Sequence, residues 1–474
     1  MRRRTKIVTT VGPASRSEEM LRELITAGAD VVRLNFSHAT QDQHAETIGN
    51  ARRAAEAVGR EIGVLGDLPG PKLRIGDIAG DVVELEPGRE FTLTSTALVG
   101  DAEKASVTWP GLVAAMKPGD TVFLADGAIR LRVIDSSGDS VRCEIEVGGA
   151  LSSHKGLNLP GADIDLPAVP EADMSWIDFA VKEGVDMLAV SFVRSAADLE
   201  PVRARVSELG ADIPLIAKIE KPQAAEMKTA EEIVRAAGGG IMVARGDLGI
   251  EMPIASVPGL QKRLLALAGR NSKPAITATQ MLASMVTSPR PTRAEVTDVA
   301  NAIYDGTDAV MLSEETAVGR HPVEAVRVMA EIARETEPNL PYGEWLLHRT
   351  ANDVQDIASS VTQGAVGAVY RLGLAAIVVP TSSGRTARMV SAHRPSVPVL
   401  AVSPRIETVR RMNLLFGVSS VLAKQWSGLR DLLSECADLA KREGVAKSGE
   451  LIAITAGLPE QGLGTNLFEV HRVP

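Results

Sequence analysis

Lys218 and Glu220 fall in Ala217-Lys218-Ile219-Glu220, and Asp247 ends Val243-Ala244-Arg245-Gly246-Asp247. Each segment closes an apolar run of strand length. Side chains alternate along a strand, so Lys218 and Glu220 point the same way. Two hard oxygen ligands with room for substrate oxygens suit Mg2+ or Mn2+ better than a closed metal cage. A fixed ammonium beside them suits a transition state that gains negative charge. An ordinary Lys–Glu–Asp salt-bridge network is an equal reading of this segment alone.

Other run ends carry polar groups too. Val32, Leu34 and Phe36 alternate with Arg33, Asn35 and Ser37, and His38 follows. Thr277-Ala278-Thr279-Gln280 and Ser313-Glu314-Glu315-Thr316 offer hydroxyls that could bind, relay a proton through water, or serve structure. Thr381-Ser382-Ser383-Gly384-Arg385-Thr386 links a strand-like run to a helical one, a composition suited to cradling phosphate at a helix N-terminus. His38 and His44 lack partners at metal-like spacing and read as surface or hydrogen-bonding histidines. G-x-x-x-x-G-K-[ST], H-R-D and H-E-x-x-H are absent, and the glycines at 238–240 precede a strand-like run, unlike a dinucleotide fingerprint.

The elements that must position these residues follow a βα rhythm. Strands are predicted at 6–11, 31–36, 61–65, 186–192, 214–219, 240–244, 274–279 and 308–312, with helices between them, the first at 17–28. Eight such units predict a closed (β/α)8 TIM barrel. A doubly wound sheet is the alternative, without its usual Gly-rich first turn. Residues 70–166 interrupt the rhythm with short alternating runs (90–94, 121–124, 130–134, 141–147) and Pro-Gly or Asp-Gly turns, which predict an inserted small β-barrel. The expected division is barrel at 1–69 and 167–340, insertion at 70–166, and a C-terminal α/β domain at 341–474. That last domain is read as helix 353–371, strand 375–379, helix 386–393, strand 397–402, then helix, strand, helix 428–444 and strand 451–455.

Composition bounds the function. The 474 residues exceed one ordinary domain. Aromatics make up only 3%, so the core must be aliphatic. A formal charge of -9 argues against nucleic acid and anionic membranes as partners. Two cysteines cannot build a disulfide framework. No apolar run approaches the roughly 20 residues of a membrane span, and no signal peptide is evident, so a cytoplasmic protein is expected. The arginines after Met1 read as a solvated terminus.

Taken in order, K-I-V-T-T-V-G-P-A-S (6–15), R-L-N-F-S-H (33–38), G-P-K-L-R (70–74), K-G-L-N-L-P-G (155–161), A-K-I-E (217–220), A-R-G-D-L-G-I-E (244–251), A-T-Q-M-L (278–282) and T-R-A-E-V-T-D-V-A-N-A (292–302) resemble the pyruvate kinase family along essentially the whole chain. The resemblance implies phosphoryl transfer from phosphoenolpyruvate to ADP, giving pyruvate and ATP, with the insertion as a lid. Arg33 and Arg74 would hold the phosphoryl group, and Lys218 would stabilise its transition state. Glu220 and Asp247 would bind Mg2+ or Mn2+. Ala244, Arg245, Gly246 and Thr279 would line the pyruvate end, with Thr279 in the path that protonates the enolate. Asn35, Ser37, His38, Asp126 and Lys155 would serve the nucleotide. The resemblance also implies a homotetramer and a phosphorylated allosteric effector at Thr381–Thr386, with Trp426 and Arg430 nearby; sugar phosphates and nucleotide monophosphates both remain open.

Two departures matter. Lys72 and Leu68 stand where K+-dependent members carry glutamate and threonine, so the monovalent-cation pocket (Asn35, Ser37, Asp67, Leu68) is expected to be served by the Lys72 ammonium, and K+ is not expected to be required. Pro69 replaces the family's usual glutamine, and Glu314 its usual glycine. Competing readings are a Mg2+-dependent lyase acting on pyruvate and a non-catalytic effector-binding protein.

Overall fold

The computed structural model describes residues 3–162, 166–350, 356–457 and 464–474. Eight parallel strands close a barrel: β1 (Lys6–Val11), β2 (Val31–Asn35), β3 (Gly63–Asp67), β4 (Met187–Val190), β5 (Leu215–Ile219), β6 (Gly240–Ala244), β7 (Ala275–Ala278) and β8 (Ala309–Leu312). Each pairs with the next, and β8 returns to β1. The expected (β/α)8 barrel is therefore present. Val8, Leu65, Ile216, Met242 and Met311 fill the interior, whereas Ile7, Val32, Leu34 and Val64 pack against the helices. Both faces are buried, which is why these strands read as continuous apolar runs.

The helices start where side chains can satisfy free amides. Ser17 accepts from the Met20 N–H at 3.2 Å. Thr292 and Glu295 form a reciprocal cap on Arg293–Tyr304. That helix carries Asp298, which anchors the site described below.

The insertion, expected as a small β-barrel, forms two sheets among its described residues. One pairs Val82–Leu85 with Gly149–Ser152; the other has six strands, including Thr121–Leu124, Ile129–Ser137 and Ser140–Val147. Phe91, Leu131 and Ile145 belong to its separate core. The chain enters it through Gly70 at φ 68°, and an added Cβ there would lie 2.8 Å from Ser191 Cβ. Glycine is required at that crossing.

The C-terminal sheet has the order β11-β10-β9-β12-β13, with β9 (Ala376–Pro380), β10 (Val399–Ser403), β11 (Val418–Leu422), β12 (Leu451–Ala456) and β13 (Leu467–Arg472). β13 runs antiparallel to β12 and was not anticipated; neither was the helix Tyr342–Thr350. The helix expected at 353–371 starts partly outside the described residues and is seen as Ile357–Leu372.

The leading arginines require a correction. Arg2 lies outside the described residues, but Arg4 is buried and Arg3 is half-buried. Arg3 pairs with Asp30 at 2.7 Å, and the Arg4 N–H donates to Glu337. The C-terminal domain seals the barrel floor beside them: Leu414 joins the barrel's interior cluster, and Arg394 pairs with Asp308 at 2.7 Å. No helix among the described residues is long and apolar enough to cross a membrane.

Candidate active site at the barrel mouth

Lys218, on β5, is the hub of the carboxyl end of the barrel. Its Nζ lies 2.9 Å from Glu220 Oε1, 3.3 Å from Asp67 Oδ1 and 2.8 Å from Ser191 Oγ. Arg33, on β2, donates to Asp67 Oδ2 through Nε at 2.7 Å and to Thr10 Oγ1 at 2.9 Å. Burial alone would raise the Asp67 carboxyl, but Lys218 and Arg33 hold it below the usual range. Burial would likewise lower the Lys218 ammonium, yet Asp67 and Glu220 hold it well above the ordinary lysine value. Lys218 is thus a permanent cation aimed at the mouth.

Glu220 is held differently. Its Oε2 accepts the Phe192 N–H at 2.7 Å. Its buried Oε1 is 2.9 Å from Lys218 Nζ and has no partner besides that ammonium. Burial, followed by the charge of Asp247, raises this carboxyl above its ordinary value; Lys218 and the Phe192 N–H oppose that shift. An acceptor with a free valence beside a second carboxylate fits a hard cation. No cluster of three or more His, Cys, Asp or Glu suited to a metal occurs among the described residues. Such a cation would complete its coordination on substrate oxygens and water.

The β6 and β7 ends are tied together. Gly246 N–H donates to Thr279 Oγ1 at 2.7 Å, and that hydroxyl donates to the Ala278 carbonyl at 2.6 Å. Thr279 and Gln280 have φ of 69° and 54°. A β-branched residue in the left-handed region costs about 1–3 kcal/mol; these hydrogen bonds hold it there. Arg245 makes two 2.7 Å contacts with Asp298 and donates to the Thr279 carbonyl, so its guanidinium is anchored. Ala244 is buried beneath them.

On the opposite rim, Asn35 Oδ1 accepts the Ser37 N–H at 3.2 Å. Phe36 stacks on Trp176 at 4.6 Å, which fixes this loop. His38 is exposed, and partial burial, then the charges of Arg74, Arg33, Lys72 and Lys155, push its imidazole below the ordinary histidine value. Arg74 also donates to the His154 carbonyl at 3.0 Å. Asp126 lies on a left-handed lid turn and meets Lys72 at 3.0 Å.

Lys72 does not pair with Asp67. Its ionic partners are Asp126 and, at 4.0 Å, Asp247. Leu68 is buried, and its carbonyl accepts from Ser191 Oγ at 2.7 Å. The ammonium expected in the Asn35, Ser37, Asp67, Leu68 pocket thus makes its ion pairs elsewhere.

In the C-terminal domain, Gly384 N–H donates to Thr381 Oγ1 at 3.0 Å, and Gly384 is left-handed at φ 79°. Thr386 Oγ1 is bonded to Thr465 Oγ1. Ser382, Ser383 and Arg385 are exposed, with Arg385 3.5 Å from Asp356. Trp426 packs partly into the domain core, while Arg430 is exposed. The loops after β9 and β11 leave carboxyl ends of parallel strands, so they share one sheet edge.

Sequence reasoning missed Thr10, Ser191 and Asp298. Thr10 and Ser191 were detectable as polar residues at or just beyond the ends of barrel strands, while Asp298 was hidden on a helix face. It also missed Asn158, whose Nδ2 joins the lid to Glu251 Oε1 at 3.3 Å.

The pyruvate kinase barrel-domain family matches residues 2–326, and the pyruvate kinase alpha/beta-domain family matches 359–471. The pyruvate kinase of Geobacillus stearothermophilus is 42% identical, over 99% of this chain and 80% of its own length. That of Bacillus licheniformis is 41% identical, with the same coverage. That of Thermococcus litoralis is 40% identical, over 99% of both chains.

Proposed function

This chain belongs to the pyruvate kinase family and is a phosphotransferase acting between phosphoenolpyruvate and ADP, and we propose that the Lys218 cluster is where it performs the transfer. The observation that carries this placement is Lys218 itself, a cation fixed by Asp67 and Glu220 and directed at the mouth. An ADP oxygen forms the new bond to phosphorus as the bond to the enol oxygen breaks. Lys218 and Arg33 offset charge on the transferring group, and Arg74 steadies it from the lid side. Asn35, Ser37, His38, Asp126 and Lys155 border the nucleotide.

Glu220 and Asp247 would hold Mg2+ or Mn2+, which when bound neutralises substrate oxygens. The backbone of Ala244, Arg245 and Gly246 would receive the pyruvate carboxylate. The Thr279 hydroxyl, through water, would lie on the route by which the enolate carbon gains its proton. Thr381–Thr386, with Trp426 and Arg430, would take a phosphorylated effector in a cytoplasmic homotetramer.

Mn2+ titration followed by electron paramagnetic resonance tests the cation assignment without relying on turnover. Glu220→Gln should weaken Mn2+ binding about tenfold or more, since it removes a charged ligand. Unchanged Mn2+ affinity would remove Glu220 from that role.

A further inference from the structure

Far from the mouth, a cavity of about 610 Å3 lies between the barrel floor and the C-terminal domain. Arg203, Lys273, Arg388 and Arg411 line it, and Asp212 is the acidic residue among them. Three of these cations point at one helix end. Arg203 donates to the Ala236 carbonyl at 2.8 Å, Lys273 to Ala237 at 2.8 Å and Arg388 to Gly238 at 3.2 Å. A helix C-terminus carries only about half a negative charge. Arg203 has a carboxylate partner in Glu200; Lys273 and Arg388 have none among the described residues.

That excess is visible in the groups themselves. Burial, then Arg388 and Arg203, push the Lys273 ammonium down to about 8. Burial and Arg385 lower Arg388, with no acidic group opposing them. Burial lowers Arg411 against the opposing charges of Asp212, Asp186 and Glu407, and the Asp212 side chain it pairs with is 95% exposed. Arg411 Nε is buried without a hydrogen-bond partner. Ile213, Pro214 and Leu415 supply an apolar wall. The volume lies in the range of small-molecule sites, about 300–1,000 Å3.

We propose that this cavity binds a phosphorylated small metabolite, its phosphate among Lys273, Arg388 and Arg411 and its organic body on the Ile213, Pro214 and Leu415 wall. The ligand would bridge two bodies. Leu215 opens β5 and Pro274 precedes β7 on the barrel floor, while Arg388 belongs to helix Arg385–Ala392. That helix follows the Thr381–Thr386 loop, whose Ser383 and Gly384 also border the cavity. The site would thus lie on the barrel side of that loop and is distinct from its exposed outer face.

Calorimetric titration of the full chain at pH 8.5, with inorganic phosphate, glycerol 3-phosphate and a nucleoside monophosphate, tests this. At least one probe should bind saturably and with net proton uptake, because the anion restores the Lys273 charge. Ranking the probes distinguishes a bare phosphate site from one that reads the organic body. Lys273→Gln with Arg388→Gln should weaken binding at least tenfold and abolish the uptake. Arg385→Ala distinguishes the two sites: binding lost there and kept in the Lys273→Gln with Arg388→Gln variant belongs to the Thr381–Thr386 loop and overturns the proposal. The single Lys273→Gln variant serves if the double variant does not fold. No saturable binding by any probe, binding unaffected by Lys273→Gln, or equal loss in Arg385→Ala would overturn the proposal.

Discussion

Lys218 at the barrel mouth and Arg394 at its floor are both buried cations facing carboxylates, but their surroundings differ. Arg394 is 1% exposed, lies over the Phe416 ring at 4.3 Å and donates to Asp308 and the Gly306 carbonyl. Asp308 in turn accepts the Ala275 N–H at 3.0 Å. Lys218 is shared between two carboxylates and a hydroxyl, and one Glu220 oxygen has no partner besides it. The floor pair fastens two domains, whereas the mouth cluster keeps a valence and a charge open towards solvent. Buried charge serves cohesion in the first case and chemistry in the second.

The largest expected effect separates them by turnover. Lys218→Met should lower kcat by about 100- to 1,000-fold, the usual cost of removing one fixed transition-state donor. Arg33 still faces Asp67, so the fold should persist. A coupled assay for pyruvate beside a thermal melt checks both. Activity falling only in step with the folded fraction would erase the contrast. Arg394→Met should do the reverse, costing about 3–5 kcal/mol of stability by stranding Asp308, with folded protein still turning over. A denaturant midpoint unchanged from wild type would show that the floor pair fastens nothing.

A smaller effect concerns Lys72. Because it ties the lid's Asp126 to the barrel's Asp247, Lys72→Met should raise KM for ADP more than it lowers kcat. Replacing K+ with an inert organic cation should change wild-type turnover less than tenfold. A tenfold or larger K+ activation would show that the ammonium does not substitute for the cation. The ion pairs of Lys72 lie away from Asp67, which makes this measurement informative.

How much was legible follows from the range of the interactions. The barrel strands could be read because each is apolar on both faces, and the Lys218–Glu220 pairing because a period of two is local. The packing of Arg3 and Arg4 into the fold was not legible, since Asp30 and Glu337 reach them only after folding. β13 escaped because Leu467–Arg472 is half-exposed and its sequence, Leu-Phe-Glu-Val-His-Arg, lacks a clean alternation. Ser191 is the instructive miss among site residues. Its serine was visible near the end of the strand predicted at 186–192, but its partners Lys218 and Leu68 come from different strand ends.

A fourth buried carboxyl, Asp173, sharpens the comparison, because no cation pairs with it among the described residues. Asp173, 3% exposed in the first turn of helix Glu171–Lys182, accepts the N–H of the lid-crossing Gly70 at 2.9 Å. Burial pushes its carboxyl up from 3.8 to about 6, against that one hydrogen bond. A folded-state value above the unfolded one means that the folded chain holds the proton more tightly. Its stabilising contribution is then complete below pH 3.8 and lost as pH rises through about 6. At pH 7.5 the ionised group costs on the order of 2–3 kcal/mol relative to a neutral one. Asp173→Asn keeps an acceptor for Gly70 and removes the charge, so it should raise Tm at pH 7.5 and leave it nearly unchanged at pH 4. Equal shifts at both pH values would assign the gain to packing and leave the Asp173 charge without a role.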